Sequence, residues 1–128
     1  MKPFFVLPIV SLACLISCVG PSADQRVQLE AEAKRAMDAF ADHAIAVVPS
    51  LDDRVSDART IALAVTNACA TEYNAWVEAK VQLSAQTGQG KRLFRQLAYS
   101  ADGKIQWGLP VVLRYRNGTL RKPTPPPN

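Results

Sequence analysis

The chain is poor in the residues that carry most chemistry. It has one histidine, His43, and three cysteines, two of which, Cys14 and Cys18, fall in its first eighteen residues. A protein metal centre draws on several ligands of the histidine, cysteine or carboxylate type, so His43 and Cys69 alone do not furnish one. No apolar stretch reaches the ~20 residues that a helix needs to cross a bilayer. The main one, "FFVLPIVSLACLIS", is shorter and holds Pro8. Acids nearly vanish from the C-terminal third, where Asp102 stands alone among eight bases after Gly90. Between Ser22 and Gly90 the balance reverses, with ten acids against six bases. The net charge of +4 therefore hides an acidic body and a basic arm. Aromatics make up 7% of the residues and form no nucleic-acid recognition module. No nucleic-acid partner is expected.

What is present fits one small domain. A body of about 100 residues buries roughly 60–70% of its unfolded surface. That supports a modest core and leaves little room for a deep cofactor cavity, so no cofactor is expected.

The start of the chain carries the most specific signal. Lys2 precedes the apolar run, and small residues follow it. A short positive start, a 7–15-residue apolar segment and small residues behind it describe a secretory signal. Leu15-Ile16-Ser17-Cys18 then resembles the lipobox of bacterial lipoproteins: a branched apolar residue, a tolerant position, a small residue and a cysteine. The triplet before Cys14, Ser11-Leu12-Ala13, fits that pattern less well because serine stands where leucine belongs. The resemblance covers residues 1–18 only. It implies that Leu15, Ile16 and Ser17 are recognised by a signal peptidase. It further implies that Cys18 becomes the lipid-bearing N-terminus, its thiol diacylglycerated and its amine open to acylation such as palmitoylation. Two or three acyl chains hold a protein stably where one holds weakly. Val19 is not the aspartate that retains many lipoproteins in the inner membrane, so the outer membrane is the preferred address.

The expected organisation is a signal over 1–17, a tether over 18–21 and a helical domain over 22–100. A basic arm of short strands over 101–122 and a proline-rich tail over 123–128 follow. Ser22 with Gln25 makes a capping box, and Leu29, Ala33, Met37, Phe40, Ala44 and Val48 then recur at helical steps until Pro49. Ile61, Val65, Cys69, Tyr73, Trp76 or Val77, and Val81 mark a second long helix, ending near Gln86 at "TGQG". The fold class is thus mainly α, an antiparallel two-helix hairpin. "KRLFRQLAY" adds a short third helix presenting Leu93, Phe94 and Leu97. Asp102-Gly103 reads as a turn, "KIQW" and "VVLRYR" as strands, and Asn117-Gly118 as a β-hairpin turn. "PTPPPN" reads as a polyproline-like, disordered tail.

Each candidate site has a plainer reading beside it. Cys69 is the one thiol left after processing, and its apolar helical position marks it as a buried small hydrophobe rather than a nucleophile. His43 lies next to Asp42, but adjacent helical residues point apart, which favours a boundary histidine over an acid–base unit. Asp52, Asp53 and Asp57 lack the spacing and central glycine of a calcium loop, and helix N-terminal charge is their simpler role. "TGQGKR" has Ala85 and Arg92 where a phosphate loop needs glycine and serine or threonine. No catalytic residue and no metal ligand is assigned.

The basic arm is the remaining candidate. On alternating strand positions Arg114 and Arg116 would share a face with Val112. With Arg121 and Lys122 they would contact an anionic partner, since guanidinium forks suit phosphate and carboxylate. The expected function is a non-enzymatic, lipid-anchored interaction protein facing the periplasm of a bacterial envelope: an accessory, inhibitor or immunity, exclusion or lysis-type component. Its partners would be the membrane, through the anchor, and a protein or anionic envelope polymer. The alternatives are a small envelope enzyme acting on cell-wall polymer and a self-associating structural lipoprotein.

Overall fold

The computed structural model describes residues 20–84 and 88–120. These form five helices, with no strand among them: α1 (Ala23–Leu51), α2 (Ala58–Ala68), α3 (Ala70–Leu83), α4 (Gly88–Ala98) and α5 (Ala101–Arg116). The protein is mainly helical. Leu15, Ile16, Ser17, Cys18, Arg121, Lys122 and the proline-rich tail lie outside the described residues.

The start of α1 follows from its sequence. Ser22 accepts from the Gln25 N–H, and the Gln25 side chain accepts from the Ser22 N–H, so two orphan donors are satisfied reciprocally. Ala33, Phe40, Ala44 and Val48 are buried at the expected spacing, with Leu29 and Met37 half-buried. Pro49 lies inside the last turn, and the helix runs on to Leu51. Asp57 caps α2: its carboxylate accepts from the N–H groups of Arg59 and Thr60.

The second apolar stripe is buried throughout, yet it belongs to two helices. Cys69 breaks it with φ −98° and ψ 31°. The ladder survives the bend, because Cys69 donates to Val65 and Tyr73 donates to Cys69. No proline or glycine stands nearby; the two halves part because they bury against different partners. α2 lies along α5, whereas α3 lies along α1.

The C-terminal region overturns the strand expectation. "KIQW" and "VVLRYR" are consecutive turns of α5. Asp102-Gly103 sits in its first turn, where the Gly103 N–H donates to the Ser100 hydroxyl. Pro110 lies within the helix and is exposed, as is Gln106, whose carbonyl loses its usual partner. Water can take that carbonyl, so the proline costs less here than in a buried turn. Asn117-Gly118 ends a helix instead of turning a hairpin. Gly118 adopts φ +68°, donates to Tyr115 and lets Thr119 donate to Arg114, which is the Schellman pattern. Gly108 has a separate reason. A Cβ there would run into the carbonyl of Ala62 and the Thr66 hydroxyl, so only glycine lets α5 lie this close to α2.

Candidate functional site

Of the arginines assigned to an anion-binding face, Arg114 and Arg116 do not share one. Arg114 is exposed, Val112 is fully buried, and Arg116 is turned inward. The strand alternation that would have aligned them is absent, because a helix places every second residue about 200° apart. Arg116 grips Asp52 through two hydrogen bonds of 2.7 and 2.9 Å and donates to the Ser56 carbonyl at 2.7 Å. The Asp52 side chain is wholly shielded from solvent. Arg116 is thereby engaged within the protein as the clamp that ties the α1–α2 loop to the end of α5.

The clamp explains two further features of that loop. Asp52 follows a helix C-terminus, where a carboxylate meets the negative end of the helix dipole. The Arg116 fork offsets this and holds the carboxyl down to about 2 from its usual 3.8, with the Arg54 N–H assisting. Arg54 sits at φ +63°, a left-handed conformation uncommon for a side-chain-bearing residue, and its guanidinium stacks 4.7 Å above the Tyr115 ring. Asp53 caps the next turn through the Ser56 hydroxyl and the Val55 and Ser56 N–H groups, which lowers its pKa. Asp57 is lowered by the Thr60 hydroxyl and the N–H groups at the start of α2, as a helix N-terminal acid should be.

His43 and Cys69 come close to a common group, Glu72. His43 Nδ1 lies 3.1 Å from Glu72 Oε1, on the partly exposed seam between α1 and α3. The other carboxylate oxygen, Oε2, is buried without a hydrogen-bond partner. Burial first, and then the Glu72 charge, push the Cys69 thiol up to about 11. A thiol in that environment stays protonated at neutral pH and is a poor nucleophile. Cys69 is the free, fully buried cysteine its helical position foretold. The His43–Glu72 pair was not legible, because the two residues are brought together only by the packing of α3 on α1. No cluster of three or more metal-ligating side chains occurs among the described residues.

Two surface features stand out. The first is an apolar groove of about 380 Å³ where α1, α3 and α5 meet. Trp76 and Trp107 form part of its lining, with ring centroids 4.2 Å apart and an edge-on arrangement. Ala33 and Met37 add apolar surface, and Lys34, Lys80, Glu30 and Asp38 add charge of both signs. Phe40 and Tyr73 continue the aromatic contacts into the core, and Tyr99 meets Tyr73 edge-on from the exposed side after α4.

The second is α4, which has no fully buried residue. Of the three side chains expected to face the core, only Phe94 packs against it, while Leu93 and Leu97 are 55% and 60% exposed. Arg95 anchors the helix by a bidentate bond to Glu78, which also accepts from the Tyr99 hydroxyl. Those contacts lower the Glu78 pKa and raise that of Arg95. Tyr73 donates to the Ala98 carbonyl at 2.6 Å and fixes the far end. Lys91 and Arg92 have no ion-pair partner among the described residues. The two bases that lead directly into Leu93 and Leu97, four residues apart in "KRLFRQLA", are the signal by which this face could have been found.

No helix of the described residues is long and apolar enough to cross a membrane. No family model, no curated protein and no solved structure matches the chain.

Proposed function

We propose that this protein is a lipid-anchored interaction protein of a bacterial cell envelope, held at the periplasmic face of the membrane through Cys18. The observation that carries the reading is the sequence Leu15-Ile16-Ser17-Cys18, followed four residues later by the Ser22 capping box. Anchor motif and folded body thus adjoin, joined by a tether of Val19 to Pro21. The tryptophan-lined groove and the exposed face of α4 supply surface for a partner. Lys80 and Glu30 line one groove while Tyr73 packs against Phe40, an opposite running of the two helices that supports reading α1 and α3 as the antiparallel hairpin. The outer membrane is the preferred address in this reading. The test is mass spectrometry of the mature N-terminus. A lipid-modified Cys18, with uncleaved precursor accumulating in Cys18→Ser, is expected. A mature chain beginning at Asp24 would sink the reading.

The competing reading is a small envelope enzyme acting on wall polymer, and the His43–Glu72 pair is the observation that favours it. A wall-degrading activity lost in both His43→Ala and Glu72→Gln would replace our reading with that one.

A further inference from the structure

The exposed face of α4 is what neither the fold nor the anchor accounts for. Leu93 and Leu97 are one helical turn apart, so they form a continuous apolar ridge. Arg92 is exposed beside that ridge, and Lys91 stands at the helix's first turns. Both cations are unpaired among the described residues, unlike Arg95, which Glu78 holds. A helix with leucines on one side and lysine or arginine flanking them suits the boundary between headgroups and acyl chains. Wall polymer offers anions but no hydrocarbon for the leucines. An anionic bilayer offers both.

Position agrees with chemistry. Lys80, near the end of α3, shares a groove with Glu30 and Lys34 in the first half of α1, while Tyr73 meets Phe40 further along. The end of α3 therefore lies at the same end of the bundle as the start of α1. α4 runs back along α3, since Arg95 meets Glu78 and Ala98 meets Tyr73. Its beginning, with Lys91 and Arg92 in the first two turns, is consequently also at that end. Val27 of α1, 66% exposed, is there too. The four residues after Cys18 span at most about 14 Å, and packed helices lie 8–10 Å apart. α4 packs on α3 and α5, two packing distances from α1, and is therefore within about three helix diameters of any bilayer that holds Cys18.

We infer that the Leu93–Leu97 ridge of α4, flanked by Lys91 and Arg92, seats the domain on an anionic phospholipid surface. The inference rests on the anchored reading above for its geometry. The domain would then lie against the membrane, leaving the tryptophan groove for a partner.

The experiment uses the full chain, expressed and processed in a bacterium, with Gln96→Cys carrying an environment-sensitive dye. Gln96 is exposed and next to the ridge, and buried Cys69 does not compete for the label. The protein is placed in neutral detergent, on phosphatidylcholine vesicles and on vesicles containing phosphatidylglycerol. Several-fold protection of the dye from an aqueous quencher is expected on the anionic vesicles alone. That protection should fall with added salt, in Lys91→Glu/Arg92→Glu, and in Leu93→Asn/Leu97→Asn, each with an unchanged helical circular dichroism spectrum. Equal quencher access on both vesicle types would overturn the inference. So would protection in detergent that grows with protein concentration, since the ridge would then face a second copy. The salt titration needs no substitution in α4 beyond the label, so the inference stays testable if a variant fails to fold. The mass of the N-terminal peptide from the same preparation separates the two failures. Unmodified Cys18 sinks the anchored reading whatever the dye reports, and lipidated Cys18 with a freely quenched dye sinks only the seating of α4.

Discussion

The two main helix contacts are built on opposite plans. Along α2 and α5 the backbones themselves meet: Gly108 lies against the Ala62 carbonyl, and the Thr66 hydroxyl donates to the Lys104 carbonyl at 2.8 Å. Along α1 and α3 large rings stand between the helices, with Tyr73 contacting Phe40 on one side and Trp76 on the other. A backbone contact has no rotamer to turn, so any added atom must separate the helices. A ring-mediated contact keeps slack, and the groove beside Trp76 and Trp107 is that slack. The half with no slack is suited to hold shape, and the half with slack is suited to admit something.

The sharpest way to break this contrast is to add volume at Gly108. Gly108→Val should cost about 3 kcal/mol or more, since overpacking forces backbone shifts and the clashing atoms are main-chain. The cost would appear despite the gain in helix propensity, ~1 kcal/mol for alanine over glycine in a helix. Gly88→Ala is the control, because a Cβ there meets nothing within 4 Å. Urea unfolding of the two variants checks the pair. Equal stabilities would show that α5 is free to slide, and the contrast would fail.

That same residue shows why part of the fold was legible and part was not. The apolar spacing of α1, its capping box and the stripe from Ile61 to Val81 are local properties, and the structure keeps them. Local chemistry also marks Gly103 and Asn117-Gly118 as turns and the segments on either side of Gly108 and Pro110 as strands, and there tertiary context decides otherwise. Gly108 serves a helix crossing, Pro110 is tolerated on a solvated face, and Gly118 closes a helix. The bend at Cys69 leaves no sequence mark, since it reflects which partner each half finds. For the same reason Arg116 could be recognised as a fork for a carboxylate, but not as one whose carboxylate is Asp52. The stretch "SLDDRVSD", which reads as a turn or a short helical lead-in, supplies the capped and clamped loop between α1 and α2.

The clamp sharpens the contrast from the other side, because it ties the two halves together. Asp52→Asn should lower the melting temperature at neutral pH by leaving Arg116 without its ion partner, a smaller effect than the clash at Gly108. The pH dependence gives a sign to check. The folded carboxyl sits at about 2, below its ordinary 3.8, so the unfolded chain takes up the proton first. The stabilisation is present above pH 4 and is lost as pH falls through 2. Acid titrations of the melting temperature should therefore converge for wild type and Asp52→Asn toward low pH. Parallel curves would mean that the Arg116–Asp52 bond does not set the acid limb.

Trp107→Phe probes the slack directly. The indole borders an open groove rather than filling a sealed core, so a smaller ring should leave no closed cavity. The loss should be about 1–2 kcal/mol, chiefly the edge-on contact with Trp76 and some buried area. A cost as large as that of Gly108→Val, measured in the same urea series, would mean that the aromatic half is as rigid as the other.

The smallest effect is expected at the bend that separates the two halves. Cys69→Ala removes a buried sulfur at a small-residue site and should cost about 1 kcal/mol. Its signature lies in alkali rather than at neutral pH. Burial and the nearby Glu72 raise the folded thiol to about 11 from an ordinary 9.0. The unfolded chain therefore releases that proton first, and stability is lost as pH rises from 9 through 11. Tyr73, raised to about 12 by burial and by its neighbour Tyr99, adds a later loss that begins near 10. Without the thiol only the later loss remains. Melting temperatures between pH 8 and 11 should thus start to fall about one pH unit later in Cys69→Ala than in wild type. An unshifted alkaline onset would mean that the thiol is not buried as described. A dimer on a non-reducing gel that vanishes with the substitution would show the bend open enough to cross-link.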